Sequence, residues 1–368
     1  MIILGLIALV HALLMIWLGI NWNQIKAYNP QKRGGIFLSV IIPVRNEAEN
    51  IALLLKDLLR QDYDPELFEV IIINDHSDDE TTHLVKEVIA SHGDRFRLIH
   101  LNGTQGKKAA STRGVKEAKS DYILCTDGDC RVPVSWISDY ASFFEEYDPY
   151  MISGPVKMVG PRFFDRVQAM DFSALLAFGA ASLQRRMASN CNGANMAYRK
   201  DIFQEVEGYK GNEQLPSGDD EFLLQKVFAR YPDRVRFMKS PTAIVETAPK
   251  HSVKEFIQQR LRWMSKSRFY NGILIRLSLI FTYLDFVSVF VIVGAVLMGY
   301  APWWVGLLIL SVRWMSESWY LIGPARFLSI PRNPLHMWTV SFIYPFYVLF
   351  LGFASIFGSY SWKGRRYG

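Results

Sequence analysis

Only three cysteines, Cys125, Cys130 and Cys191, occur in 368 residues. A set so sparse and odd in number excludes a disulfide framework. Cys125 and Cys130 flank an acidic motif, but no second Cys/His pair completes a zinc site, so they read as reduced structural thiols. A Walker-type glycine-lysine loop is missing, and no Gly-x-Gly-x-x-Gly follows the first strand-like run; P-loop ATP hydrolysis and hydride transfer are set aside. The formal charge is +6, yet no dense basic run with interleaved aromatics exists, which argues against nucleic acid as a partner. A basic surplus also suits the cytosolic face of an anionic membrane. Charge itself is scarce near the C-terminus: between 271 and 358 only Arg276, Asp285, Arg313, Glu317, Arg326 and Arg332 carry it. With 21% charged residues and a mean hydropathy of +0.08, that asymmetry excludes both a single soluble globule and a pure membrane bundle. What remains is a soluble domain of roughly 230 residues bracketed by membrane segments.

Residues 1–20 are almost entirely apolar, with His11 the only ionisable side chain, and about 20 such residues span a hydrocarbon core. A basic start, a short apolar run and a small-residue cleavage site are not evident, so residues 1–22 read as an uncleaved anchor. Lys26, Lys32 and Arg33 follow it and place its C-terminal side in the cytoplasm. Three further spans are expected near 275–299, 302–322 and 336–358, within a membrane region of 273–360. Arg326 and Arg332 make the last inter-span loop cytoplasmic. The basic tail, 361–368, then falls outside; either it is an exception or one apolar segment is re-entrant or interfacial. Asp285 and the i, i+4 pair Arg313 and Glu317 sit within apolar stretches, where ionisable groups satisfy one another or line a polar entry for a lipid head group.

Between these segments strand and helix alternate four times. Strand-like runs at 37–43, 68–75, 96–101 and 122–129 are each followed by polar residues and a helical pattern, which predicts a mainly parallel α/β sheet of right-handed βαβ units. Open α/β sheets bind ligands outside the C-terminal ends of their strands, where these polar residues fall. Asp127-Gly128-Asp129 ends the fourth run. Two carboxylates on an extended segment suit Mg2+ or Mn2+, which complete their shell with diphosphate oxygens, and the glycine permits close backbone approach. Asp75 holds the equivalent place one unit earlier. Lys107 is either a diphosphate contact or a solvated lysine at a helix start. Asp219, Asp220 and Glu221 follow Gly218; capping and dipole compensation account for one or two of them, leaving one as a candidate general base. Residues 252–271 form a basic, aromatic-containing interfacial helix, on which Gln259, Arg262 and Trp263 share one face. Residues 163–186 are expected to be a helix, either against the membrane or in the soluble core.

The ordered series Ile42-Pro43-Val44-Arg45-Asn46-Glu47, Asp75, Gly106-Lys107, Asp127-Gly128-Asp129, Gly193-Ala194-Asn195, Gly218-Asp219-Asp220 and Gln259-x-x-Arg262-Trp263 resembles family-two glycosyltransferases, specifically their membrane-integrated branch. The likeness runs from about Leu38 to Trp263. It implies a GT-A fold, Rossmann-like with a mixed, mainly parallel sheet, over residues 36–250, followed by an interfacial segment at 251–272 and α-helical transmembrane segments. It further implies that Pro43, Arg45, Glu47 and Asp75 cradle a uridine with Lys107 near the nucleotide. Asp127 would contact the nucleotide-sugar and, with Asp129, the metal, while Asn195 would line the sugar and acceptor floor. Asp220 would be the general base, and Gln259, Arg262 and Trp263 would close the site. Where the family often has Glu-Asp, this chain has Asp219-Asp220.

The activity expected from this resemblance is inverting, metal-assisted transfer from a UDP-sugar to a membrane lipid hydroxyl. The setting expected is the cytoplasmic face of a bacterial plasma membrane. A processive synthase making a polysaccharide such as poly-N-acetylglucosamine or hyaluronan is the alternative; a non-enzymatic nucleotide-sugar sensor is a third reading, against which the retained carboxylates speak.

Overall fold

In the computed structural model the described residues are all but 31–33, 91, 214, 216, 267–272, 358, 359, 363, 364 and 368. Lys32 and Arg33, the end of the expected 252–271 helix, and Lys363 and Gly364 of the tail therefore lie outside them. The chain divides into two units, one of residues 25–159 and 178–248, the other of 1–24, 160–177 and 249–368.

The first of these is built on β-branched runs that no polar stripe interrupts. Strands β1 (Leu38–Val44), β2 (Phe68–Asn74), β3 (Phe96–His100) and β4 (Tyr122–Cys125) lie parallel in the order β3-β2-β1-β4. Val40 pairs with Val70 on one side and Leu124 on the other. Parallel strands are covered on both faces, which explains continuous apolar runs in place of alternation; Leu38, Val40, Ile41, Ile42 and Val70 to Ile73 are fully buried. The one acid inside this layer, Glu69, accepts from Ser39 Oγ, the Lys119 amide and Arg97, so its burial is compensated.

Helices α1 (Ile2–Gln24, in the other unit), α2 (Ile51–Leu59), α3 (Thr81–Ile89) and α4 (Lys107–Glu117) come in chain order with these strands, the last three as crossovers. Then follow β5 (Cys130–Arg131), α5 (Trp136–Tyr147), β6 (Met151–Ser153), β7 (Val156–Met158), α6 (Phe163–Gln184), β8 (Met196–Arg199), α7 (Lys200–Glu205), α8 (Asp219–Arg230), β9 (Val235–Phe237) and β10 (Val245–Thr247). Strand β8 lies antiparallel between β4 and β6, with β9 at the edge, giving a seven-stranded mixed sheet. A second sheet joins β5, β10 and β7. Because β2 and β4 flank β1, the sheet's direction of winding reverses between β1 and β4, and it is outside the C-terminal ends of strands at such a point that open α/β sheets bind ligands.

The other unit contains α1, the part of α6 up to Ala177, α9 (Val253–Met264), α10 (Ile273–Leu297), α11 (Trp303–Phe327), α12 (Pro334–Phe357) and a hairpin of β11 (Tyr360–Trp362) with β12 (Arg365–Tyr367). Among the described residues three helices are long and apolar enough to cross a membrane: Ile2–Gln24, Leu279–Leu297 and Pro334–Ala354. The segment expected at 302–322 is a helix, α11, but Arg313 and Glu317 interrupt its apolar run and it falls outside that group. Those two charges are not exposed. With Asp285 and His11 they form a buried cluster. Asp285 Oδ2 is 3.0 Å from His11 Nδ1, and Glu317 Oε1 is 3.1 Å from both His11 Nε2 and Arg313 Nε. Arg313 also pairs with Asp285. Of the two roles expected for these groups, the structure shows mutual satisfaction.

Candidate functional site

The loops leaving β1 and β2 are pinned to each other. Arg45 donates from Nη1 to the carbonyls of Asp75 and His76, both at 2.8 Å, and Asn46 exchanges hydrogen bonds with Asp78. The Glu47 amide donates to Thr81 Oγ1 at 2.7 Å, and Asp79 accepts from the Ala48 and Thr81 amides. Pro43, Arg45 and Glu47 thus stand at the end of β1 beside Asp75, as the sequence expects, but the Arg45 guanidinium already supports the backbone of the neighbouring loop.

Asp75 carries the arrangement to the next element. Its Oδ2 accepts from the Gly106 amide at 3.0 Å, at the start of α4, where Gly106 adopts a φ of +99°. The following residue, Lys107, is no solvated helix-start lysine. Its Nζ lies 2.7 Å from Asp127 Oδ1 and 3.1 Å from Asp219 Oδ2, so it bridges the carboxylates at the end of β4 and at the start of α8. Asp220, half-buried, accepts from the Gly193 amide on Oδ2 at 2.9 Å and from the Glu221 amide on Oδ1 at 2.8 Å. One chain of contacts therefore runs from Asp75 through Gly106, Lys107, Asp127 and Asp219 to Gly193 and Asp220.

Two glycines make this convergence possible. A β-carbon at Gly128 would meet Glu47 Cγ at 2.9 Å and Val44 Cγ1 at 3.0 Å, so the Asp127-Gly128-Asp129 turn lies directly against the end of β1. A β-carbon at Gly193 would reach Lys107 Nζ at 3.0 Å and Asp219 Oδ2 at 3.2 Å. Gly193 acts through its amide and its missing side chain, a role with no signature in residue chemistry.

The charges are unbalanced. Burial, reinforced by the negative charges of Asp129 and Asp219, pushes the Asp127 carboxyl up against the pull of Lys107. Burial opposes ionisation of Asp219 too, but Lys107 prevails and holds it below the usual carboxylate range. Burial would lower Lys107, and the three carboxylates Asp127, Asp219 and Asp220 instead hold it well above the ordinary lysine value. Three carboxylates, Asp127, Asp219 and Asp220, thus act on one lysine, and Asp129 adds a further negative charge beside Asp127. Among the described residues no three His, Cys, Asp or Glu side chains gather tightly enough to enclose a metal. The rim offers at most a two-carboxylate edge from Asp127 and Asp129, open to ligands from elsewhere, which is the donor set magnesium and manganese accept. Nearby, burial pushes the Cys125 thiol up to about 12, in keeping with an inert structural cysteine.

Asn195 is a correction. Its Oδ1 accepts from Trp136 Nε1 and Tyr140 OH, both at 2.8 Å, and its Nδ2 donates to the carbonyls of Pro155 and Ala243. Fully buried and fully bonded, it clasps β7, α5 and the start of β10 together and presents nothing to a sugar. The Gly-Ala-Asn segment was legible as important; that its asparagine faces the core was not.

In the other unit Gln259, Arg262 and Trp263 lie on α9, all half-buried, as the helical spacing predicts. The Trp263 ring packs against Phe172, with centroids 6.0 Å apart. Between them in sequence, Arg260 is buried and paired with Asp171 of α6; the sequence alone assigns neither of them a role. The one available signal was the i, i+4, i+7 spacing of Phe256, Arg260 and Trp263.

The family model of glycosyl transferase family 2 matches residues 39–207, the stretch that carries β1 through α7. Residues 39–207 are a glycosyl transferase family 2 domain. Among its relatives, glycosyltransferase AglE of Haloferax volcanii is 25% identical over 53% of this chain and 62% of its own length. A poly-beta-1,6-N-acetyl-D-glucosamine synthase of Staphylococcus epidermidis is 32% identical over 65% of this chain and 56% of its own. The chain thus spans about three fifths of the curated relatives it matches. Among solved structures, the mannosyltransferase PcManGT of Pyrobaculum calidifontis, solved with GDP-Man and Mn2+, is similar in fold at a TM-score of 0.58. That match is 18% identical and covers 96% of this chain and 99% of that one. The glycosyl transferase domain therefore has the mixed, mostly parallel GT-A-type sheet, and the Lys107-centred carboxylates occupy its C-terminal rim.

Proposed function

We propose that the chain is an inverting glycosyltransferase that moves a sugar from a UDP-sugar to a lipid hydroxyl at the cytoplasmic face of a membrane. The observation that carries this reading is the convergence of Asp127, Asp219 and Asp220 around Lys107 at the rim of a family-two domain. A pyrophosphate brought to such a rim needs positive charge, and Lys107 supplies one unit of it from α4. Asp127 and Asp129 would hold Mg2+ or Mn2+, which would neutralise charge building on the leaving diphosphate.

The acceptor hydroxyl is too weak an acid to attack unaided, so a positioned base must take its proton, an effect of about 10²–10⁴-fold. Asp219 is committed to Lys107, whereas Asp220 accepts from two backbone amides and, among the described residues, forms no ion pair, which keeps lone pairs available. Asp220 is accordingly assigned as the base, with Asp219 holding Lys107 in place. One base on the acceptor side and displacement from the opposite face give inversion at the anomeric carbon. Pro43, Arg45, Glu47 and Asp75 would form the nucleoside end, with Arg45 and Asp75 acting largely by fixing its two loops. Gln259, Arg262 and Trp263 are assigned to the acceptor, on a helix that precedes the second apolar span in sequence.

The likeness to the poly-beta-1,6-N-acetyl-D-glucosamine synthase favours a second reading, processive polymerisation. The deciding experiment incubates the purified full chain with labelled UDP- and GDP-sugars, membrane lipid extract and Mg2+ or Mn2+, then sizes the products. One labelled lipid adduct from a UDP donor, lost with EDTA and restored by the metal, is the expected outcome. A ladder or high polymer transfers the case to the second reading, and full turnover in chelator removes the metal from the scheme.

A further inference from the structure

We propose that Arg260 and Asp171 are positioning residues that fix the indole of Trp263, an inference that rests on the assignment of Trp263 to the acceptor end of the glycosyltransferase site. Arginines on an interfacial helix ordinarily extend their charge to water or to lipid phosphates. Arg260 does the opposite: it is 3% exposed, although it lies on a helix whose first three residues are exposed. Residues 256, 260 and 263 fall on one face of α9. The guanidinium lies 4.7 Å from the centroid of Phe256 and 4.2 Å from that of Trp263, so it stacks between two rings. Its Nη2 donates to Asp171 Oδ2, and Asp171 is buried as well.

Asp171 has a neighbour that completes the grip. Phe172, next to it on α6, packs on the same indole with an interplanar angle of 41°. Two successive residues of α6 thus hold two residues of α9: the carboxylate sets the plane of the guanidinium, and the guanidinium and the phenyl ring together set the indole. Neither Nε nor Nη1 of Arg260 has a hydrogen-bond partner among the described residues, so the side chain spends its remaining surface on the rings. The ion pair neutralises the charge, which argues against Arg260 as a binder of phosphate. A planar cation is required for this geometry, and lysine, a point charge without a stacking face, does not replace it.

The test uses the full chain in detergent with 5-fluorotryptophan, the Trp263 resonance being assigned among the ten tryptophans by its loss in Trp263→Phe. In Arg260→Lys and Asp171→Asn that resonance is expected to shift and broaden. Arg260→Lys is expected to lower kcat or raise the acceptor KM about tenfold, while the donor KM stays within about twofold. In a Trp263→Ala background the same substitution should cost almost nothing further, because it acts through the indole. Should Asp171→Asn fail to fold, the conservative Arg260→Lys alone carries the test. An unmoved resonance, or losses that multiply with those of Trp263→Ala, overturns the proposal. A moved resonance in a protein that transfers no sugar leaves Trp263 positioned as described and overturns the glycosyltransferase reading instead.

Discussion

Asp219 and Asp220 are adjacent, chemically identical and differently employed. The first is drawn into an ion pair by Lys107, and the second is held by the amides of Gly193 and Glu221. Under the assignment above, Asp220→Asn keeps the side chain's shape but removes the proton acceptor, so kcat should fall by about 10²–10⁴-fold while UDP affinity changes little. Asp219→Asn should instead loosen Lys107 and weaken donor binding. Calorimetric UDP titration beside turnover separates the two, and near-normal activity in Asp220→Asn would sink the assignment. A second residue makes a pH prediction. Lys239 is buried, donates to the Ile25 carbonyl at 3.1 Å, and is lowered by burial to about 8. Between that value and the ordinary 10.5 the folded chain binds fewer protons than the unfolded one, so stability rises with pH across the window and the penalty is full below it. Lys239→Met should therefore stabilise by about 2 kcal/mol at pH 7, less the lost hydrogen bond, with the advantage shrinking towards pH 10. A difference in unfolding temperature that stays flat from pH 7 to 10 would show an unperturbed lysine. The acids of the rim were legible as residue types placed after strands. Gly193 and Asn195 were not, because one works through a backbone amide and an absent β-carbon, and the other turns its amide into the core.

At the level of elements, α9 shows how little sequence is needed to start a helix. Ser252 Oγ accepts from the Glu255 amide at 3.2 Å, and Glu255 Oε2 returns to the His251 amide at 3.1 Å, a reciprocal cap one residue wider than the usual box. Ser252→Ala should cost about 1 kcal/mol. Hydrogen exchange would register this as roughly fivefold faster exchange of the Glu255 and Phe256 amides, with Ser252→Asp restoring protection. Equal protection in Ser252→Ala would mean that tertiary packing alone holds the first turn. The four βα units were readable for a related reason: β-branched runs and helical spacing are local signals, and β1 to β4 follow them. Strands β6, β8 and β9 were not readable, being three or four residues long and defined by partners distant in sequence. That β8 runs antiparallel between β4 and β6 is a property of the sheet rather than of the segment. Helix α11 marks the opposite limit: its i, i+4 pair of Arg313 and Glu317 was legible, but the partners His11 on α1 and Asp285 on α10 were not.

On the scale of the whole chain, those charges tie its beginning to its end. His11 and Asp285 are 274 positions apart and 3.0 Å from each other. His11, Asp285, Arg313 and Glu317 link α1, α10 and α11 within one unit, their side chains no more than 14% exposed. Removing one member of such a cluster strands a charge that has no water to turn to, whereas removing all members together exchanges a costly desolvation for ordinary packing. Asp285→Asn should thus destabilise by about 3–5 kcal/mol, measured as unfolding of the full chain in a mild detergent. Replacing His11, Asp285 and Glu317 by leucine and Arg313 by methionine together should recover most of that loss, since no buried charge is left unpaired. If the fourfold variant is no more stable than Asp285→Asn, the cluster does more than satisfy itself, and the alternative role of a polar entry for a lipid head group returns. Recovery of stability with retained sugar transfer would instead place the cluster wholly on the side of folding, leaving the acidic rim around Lys107 to account for the chemistry.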